Sequence, residues 1–498
     1  MQRIDETLTA WLPELLYTGG RFERGLALVC DEAGRITHLT RDYQTLAARV
    51  VRLSGRALLP GLVNAHSHSF QRVIRGRTEH RAHARDSFWT WREQMYAVAE
   101  RLTPEDLYAA ARMAFLEMAL TGITAVGEFH YLHHAPDGKP YDDPNLLAKQ
   151  VIRAARDVGL RIALLRVAYA RAGFEAQPNP QQARFIEHDA QTFIKQTDEL
   201  HRALACDTTN ANKAERAKAN SDARADASCQ VAWLGIAPHS IRAVPLDYLR
   251  ELCVYARGAA LPVHMHIAEQ PAEVAACQRE HGRTPIALLA NEDLLDARFT
   301  AVHAIHITPD EINALAQSRA HVCACPTTER NLGDGIVPAD LFFATDVPVA
   351  LGTDSHVQID LLEDARELEY HLRLQKLERA VLAPEREALS VEPQADQLSS
   401  LAARLFDCAT VNGARSIGAP SGALAGGRAA DFFTVDLNDP SIAGANETDL
   451  LPTIVFALAR TAVREVVVGG RLVVQDGRHQ AQTEIVERFA RLQRTLWQ

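Results

Sequence analysis

The chain is short of cysteine, with eight in 498 residues, and no two of them stand as a CxxC pair. Their spacing shows no disulfide framework for so long a chain, so a reducing, cytoplasmic setting is expected. No stretch approaches the ~20 apolar residues of a membrane span. Met1 to Leu15 breaks its apolar residues with Arg3, Asp5 and Glu6 and so lacks the uninterrupted apolar core of a secretory signal. A basic excess is missing as well: 53 Lys and Arg stand against 63 Asp and Glu, a formal charge of −10. The average field therefore repels phosphate, which argues against a nucleic-acid partner and still allows local arginines to take a small anion. Hydrophobic residues make up 47% and charged residues 23%, so most of the chain is expected to fold around a substantial core. Its length suits one large barrel domain with a smaller companion.

Between residues 59 and 355, short apolar runs alternate with helical patterns, the mark of repeated strand-helix units around a parallel sheet. Eight runs end near His68, Tyr131, Tyr169, His239, Glu269, His303, Cys325 and Asp354, which predicts an α/β fold of the (β/α)8 TIM-barrel type over residues 59–419. Thr103-Pro104-Glu105-Asp106 and Thr308-Pro309-Asp310-Glu311 read as helix starts, with a capping threonine, proline at the first position and acids at the positive dipole end. Residues 1–58 and 420–498 carry short β-rich runs punctuated by glycine, and they are expected to pair into a second, smaller and discontinuous β-sandwich domain. Residues 205–228, polar and alanine-rich, read as a mobile insertion or as a solvent-exposed extension of the preceding helix; composition leaves both open.

The first apolar run closes in His66-Ser67-His68, two histidines at i, i+2 and therefore on one face of a strand. A lone HxH in a chain with 20 histidines is weak. Three further strand-like runs, however, close on His266, His303 and Asp354, and in a barrel such ends converge on one face. We expect one divalent ion held by His66, His68, His266 and Asp354. Imidazole and carboxylate suit zinc, and ligand type alone leaves iron, manganese or nickel open. Glu269 lies three residues past His266, within reach of the ion without ligating it, and is the expected general acid/base; the plainer reading is a surface glutamate. His303 either ligates a second ion or polarises the bond under attack.

At this point a resemblance becomes specific. Pro60-Gly61-Leu62-Val63-Asn64-Ala65-His66-Ser67-His68, His266-Ile267-Ala268-Glu269 and Leu351-Gly352-Thr353-Asp354-Ser355 resemble the strand 1, 5 and 8 motifs of the amidohydrolase superfamily, in its deaminase-like branch. Within the branch the chain is most similar to the family of formimidoylglutamate deiminases. The residues that carry this are His68 to Arg72, Phe88 to Tyr96, Gly127 to His133, Pro238 to Arg242 and Pro326 to Gly335. The resemblance implies hydrolysis of N-formimino-L-glutamate to N-formyl-L-glutamate and ammonia in histidine degradation, one zinc ion per subunit and a homodimer. Two-metal members bridge their ions with a residue at the end of strand 4. Here that end reads Ala237-Pro238-His239-Ser240, so a mononuclear site is expected. The implied roles are proton transfer by Glu269, help with water deprotonation by Asp354 as it ligates, and support of the tetrahedral intermediate by His303.

A dicarboxylate substrate needs fixed cations and donors, because each buried carboxylate must be paired. Arg92 and Arg242 are the expected carboxylate clamps, with Gln71, Tyr131 and His239 as added hydrogen-bonding groups; the competing reading makes the arginines ordinary surface charges. Two other functions compete. A deaminase or chlorohydrolase of a purine or triazine ring would leave both arginines unpaired. A metal-free scaffold protein on the same barrel would have no use for five filled ligand-type positions.

Overall fold

The computed structural model describes residues 5–80, 86–174, 176–177, 179–216, 230–384 and 400–498. Asp5–Thr18 (β1), Arg21–Arg24 (β2), Ala27–Cys30 (β3), Ile36–Thr40 (β4) and Ala47–Pro60 (β5) open the chain. The apolar runs then become eight strands: Leu62–Ser67 (β6), Ile123–His130 (β7), Arg161–Ala168 (β8), Ala232–Pro238 (β9), Val263–Ile267 (β10), Phe299–His303 (β11), His321–Ala324 (β12) and Val349–Leu351 (β13). They pair in parallel, each with the next. Strands this short and this uniformly apolar are buried on both faces, as parallel sheets covered by helices require; β6, β7 and β8 are buried at every residue.

The ring closes where β6 meets the chain after β13. Ser67 bridges Asp354, with His68 N donating to Asp354 O at 3.1 Å and Asp354 N to His66 O at 3.1 Å. Gly352 makes this approach possible, since a Cβ there would fall 2.7 Å from His66 Cβ. Barrel closure and ligand convergence are therefore one event in the backbone.

The helix starts follow their sequence signals. Thr103 accepts from Asp106 N at the head of Pro104–Leu120, and Thr308 from Glu311 N at the head of Pro309–Ser318, each as a reciprocal capping box. Residues 205–216 continue the helix Ala190–Arg216, so the extension alternative holds over that part; residues 217–228 lie outside the described residues.

Both ends of the chain meet in one nine-stranded mixed sheet, completed by Phe432–Asp436 (β14), Val463–Val468 (β15), Arg471–Gln475 (β16) and Arg478–His479 (β17). The join is β5 against β14, antiparallel, with Pro60 opposite Phe432. Trp11 packs edge-on against Phe432 at 5.2 Å in a small core with Leu16, Leu28, Leu58 and Val467. Residue Gly61 alone separates β5 from the first barrel strand. A fully buried ion pair, Arg161 Nε to Asp431 Oδ2 at 2.7 Å, ties the third barrel strand to this sheet. The last segment is helical rather than β: Ile485, Phe489, Leu492 and Leu496 recur at helical spacing, and Gln482–Leu496 lays them onto the barrel helix Pro104–Leu120. Among the described residues no helix is long and apolar enough to cross a membrane. Cys30, Cys253, Cys277, Cys323, Cys325 and Cys408 are all unpaired and buried.

Candidate active site

Alternation along β6 sends His66 and His68 to the same interior position at the carboxyl end of the barrel. Their Nε2 atoms lie 3.2 Å apart, and His266 Nε2 completes a triangle at 3.2 Å from His66 and 3.3 Å from His68. Asp354 Oδ1 stands at the His66–His68 edge, 3.3 Å from His66 Nε2 and 3.2 Å from His68 Nε2, and all four donor atoms lie within 4.8 Å of one another. Three nitrogens spaced 3.2–3.3 Å apart can share one ion ~2.0 Å from each, the length of a zinc–imidazole bond.

The chemistry of these donors asks for a cation. His68 Nδ1 lies 3.0 Å from Phe129 O and His266 Nδ1 lies 3.1 Å from His239 O, so those nitrogens carry the ring proton and leave lone pairs on Nε2. Lone pairs at 3.2–3.3 Å repel unless a positive charge sits among them. A proton fits poorly, because burial takes the His66 imidazole down to about 3 and holds His266 well below its usual value. Three imidazoles and one carboxylate fit a divalent metal ion. Burial works to raise the Asp354 carboxyl, but His66 and His68 hold it well below the usual carboxylate range.

Behind the cluster stands a buried polar support. Glu128, on β7, accepts from Ser67 Oγ at 2.5 Å, Ser69 Oγ at 2.6 Å and Ser69 N at 2.8 Å, which fixes both residues that follow a ligand histidine. His356 joins Ser67 Oγ to Thr353 Oγ1, each at 3.0 Å, and Asn64 Nδ2 donates to Thr353 Oγ1 at 2.7 Å. Left-handed backbone at Ala268, His303, Ala304, Asp354 and His356 clusters at the same strand ends (φ 45° to 71°), strain that the surrounding bonds hold in place. His264 points away from the cluster and meets Ser416 O at 3.0 Å, so it belongs to the core.

His303 stands beside the four donors rather than among them. Its Nδ1 faces Glu329 Oε1 at 3.2 Å, and its Nε2 is 3.7 Å from Glu269 Oε1 and 3.9 Å from Asp354 Oδ2. Burial disfavours its charge, yet Glu269, Glu329 and Asp354 together raise it well above its usual value, so the ring is an imidazolium. Burial raises the Glu269 carboxyl against the pull of His303 and Arg242. The plainer reading of Glu269 as a surface residue fails, since it is 4% exposed.

These groups open into a cleft at the mouth of the barrel, a space of about 490 Å³ when its solvent-open part is included. His68, His266, Glu269, His303 and Asp354 line its floor, and Gln71, Arg92, Tyr131, His239 and Arg242 line its walls; His66 lies fully buried behind them. Neither arginine is an ordinary surface charge. Arg92, on the helix Phe88–Ala99, lies over Trp89 and Tyr96 at 4.5 and 5.5 Å, and its buried Nε has no acceptor. Arg242 is 6% exposed and lies 3.1 Å from Glu273, but its Nε and Nη1 make no well-aligned hydrogen bond. Gln71 Nε2 donates to Tyr131 Oη at 2.9 Å. Burial, with Arg242 next, keeps His239 neutral.

Sequence reading missed several groups. Glu128 had one visible signal, an acid inside the apolar run Ile123 to Phe129. Glu329 and Tyr96 stood inside stretches that carried the resemblance but had no expected role; Glu273 had no signal, nor did the hub in which Gln182 Nε2 donates to Tyr96 Oη and Tyr169 Oη at 2.8 Å each.

Buried histidines give the metal-free protein a defined response to acid. Burial lowers His66 to about 3, His264 and His321 to about 4, and holds His130, His133 and His356 well below 6.5. Below ~6.5 the unfolded chain binds these protons and the folded chain does not, so the stability present above that pH is lost as the pH falls towards 4. The raised His303 adds no slope there, since below ~6.5 it is protonated in the folded and the unfolded chain alike. Buried carboxyls that burial raises, Asp334 to about 9 with Glu128, Glu269 and Asp364, pull the other way in this window, so the histidine part is read by difference: the urea midpoint of the metal-free protein is expected to decline more steeply than that of His264→Gln, and equal slopes contradict the burial assignment.

Comparison with known proteins agrees with this architecture. The amidohydrolase family model matches residues 57–473. A formimidoylglutamate deiminase of Pseudomonas aeruginosa is 38% identical over 88% of this chain and 89% of its own. A 5-methylthioadenosine/S-adenosylhomocysteine deaminase of Natronomonas pharaonis is 27% identical over 86% of this chain and 84% of its own. The crystal structure of an amidohydrolase from Brucella melitensis superposes with a TM-score of 0.85 at 32% identity, covering 99% of this chain and 100% of that one. The chain belongs to the amidohydrolase family and is a hydrolase acting on C–N bonds.

Proposed function

We propose that the protein hydrolyses N-formimino-L-glutamate to N-formyl-L-glutamate and ammonia, with a single zinc ion held by His66, His68, His266 and Asp354. The observation that carries the reading is the pair of arginines in the cavity wall: the buried Nε of each has no hydrogen-bond partner, Arg242 being paired with Glu273 through Nη1 alone, so both can still receive a carboxylate-bearing ligand. The 38% identity to the Pseudomonas aeruginosa deiminase supports it. An ion in this donor set supplies Lewis acidity and brings the pKa of a water molecule towards ~7.

The residues divide the remaining work. Arg92 and Arg242, with Gln71, Tyr131 and His239, hold the two carboxylates and set the planar amidine carbon over the floor of the cavity. Glu269 takes a proton from the attacking water and delivers it to the departing nitrogen, a task its raised pKa suits. Asp354 shares the deprotonation, and the His303 imidazolium donates from Nε2 to the charge that develops in the tetrahedral intermediate. The cytosol is the matching compartment, since buried free thiols persist where the medium is reducing.

The test is ammonia release by the zinc-loaded protein given N-formimino-L-glutamate, N-formimino-L-aspartate, guanine or adenosine. Fast turnover of the glutamate compound alone is expected. Release from a purine alone would overturn the reading and remove both arginines as substrate clamps. A companion expectation concerns the clamps: Arg92→Ala and Arg242→Ala each lower kcat/KM by ~10²-fold or more, mainly through KM, because truncating one partner of a buried charge pair costs about 2–5 kcal/mol. Steady-state kinetics at saturating and limiting substrate separate KM from kcat, and an unchanged KM would remove that arginine from the carboxylate site.

A further inference from the structure

A second set of donors adjoins the first. A ring nitrogen of His303, the Cys325 thiol and a carboxylate oxygen of Asp354 lie within 4.8 Å of one another, all three buried. Asp354 belongs to both sets and its two oxygens divide between them: Oδ1 faces His66 and His68, while Oδ2 lies 3.9 Å from His303 Nε2. That Nε2 is buried and has no hydrogen-bond partner, and Glu269 Oε1, at 3.7 Å, is a fourth ligand-capable group in reach. Cys325 is fully buried and ends the His321–Ala324 strand, where its backbone N–H is held by Glu329 Oε1 at 2.9 Å, the same oxygen that faces His303 Nδ1. One carboxylate thus positions both the cysteine and the histidine. Nothing in the hydrolysis described above uses the thiol.

We propose that His303, Cys325 and Asp354 form an inhibitory site for a second, thiophilic divalent ion, such as zinc in excess or cadmium, joined to the catalytic centre through the two oxygens of Asp354. Soft thiolate sulfur selects such ions over magnesium or calcium. The ion takes the Cys325 sulfur as thiolate, and the thiol proton leaves to solvent. An ion there removes His303 and one oxygen of Asp354 from the reaction. The inhibition rests on their proposed roles; the binding does not.

The test uses protein carrying one zinc per chain, in a background in which Cys206 and Cys229, whose side chains lie outside the described residues, are changed to serine. Titration with cobalt(II) is expected to raise a near-ultraviolet thiolate-to-cobalt charge-transfer band that saturates at one added ion per chain. Ammonia release is expected to fall with the same midpoint. Cys325→Ala is expected to lose the band and the inhibition, whereas Cys408→Ala keeps both. A parent protein without the band, a band retained in Cys325→Ala, or a band without loss of turnover overturns the proposal. Should Cys325→Ala fail to fold, X-ray absorption of the cobalt-loaded parent reads the coordination shell directly, and a shell of nitrogen and oxygen alone overturns it. The spectroscopic result does not depend on which amidine the enzyme hydrolyses.

Discussion

Glu269→Gln is expected to lower kcat by ~10²–10⁴-fold, the range associated with loss of a positioned general acid or base. Glutamine keeps the size of the side chain and leaves in place the backbone contact in which Glu269 N donates to Glu273 Oε2 at 3.3 Å. What it removes is a group that can accept a proton from water and return it to nitrogen. The environment argues that this is the task of the carboxyl: it is buried, its pKa is raised, and it faces the His303 Nε2 at 3.7 Å on the cavity floor. Because Glu269 lies outside the four-donor cluster, metal content and the thermal midpoint of the variant should match the parent, and KM should change little. Those controls separate loss of proton transfer from loss of the centre. Turnover within a few-fold of the parent would pass the role to another cavity acid.

Most of the barrel and the candidate donor cluster was legible because both are written locally. A strand that must be buried on both faces is a short apolar run, and His66, His68, His266, His303 and Asp354 all fall at the carboxyl ends of such runs. The capping boxes at Thr103 and Thr308 are complete within four residues, so their signals survive without tertiary context. What stayed hidden was set by pairings across the chain. Glu128 meets Ser67 and Ser69 from a different strand, about sixty positions away, and the charge of His303 comes from Glu269, Glu329 and Asp354, each on a separate segment. The parallel pairing of β1 with β5 within one mixed sheet depends on register, which composition does not encode. The closing helix Gln482–Leu496 was hidden differently: its helical spacing was present in the residues but was outweighed by the β-rich runs before it.

Asp354→Asn is expected to strip the centre of its metal and to lower turnover by more than ~10³-fold, since no positioned water remains to be activated. The substitution preserves shape, and the contacts that close the barrel, His68 N to Asp354 O and Asp354 N to His66 O, are made by backbone atoms that any residue supplies. Only the charge of the carboxylate is lost. Three neutral imidazoles then hold a divalent ion without the one anion in the set, and the buried amide, 3.2–3.3 Å from His66 and His68 Nε2, turns a weaker dipole towards it. Stability reports the same event independently of activity. An ion at a thousand times its Kd stabilises the folded state by about 4 kcal/mol, so a chelator should lower the thermal midpoint of the parent protein and leave that of Asp354→Asn unchanged. Metal analysis after dialysis, read beside the two melting curves, decides the matter. A variant that retains one ion per chain and still melts lower with a chelator would show that the three histidines suffice, and would move Asp354 from the metal to the proton it is proposed to share with Glu269.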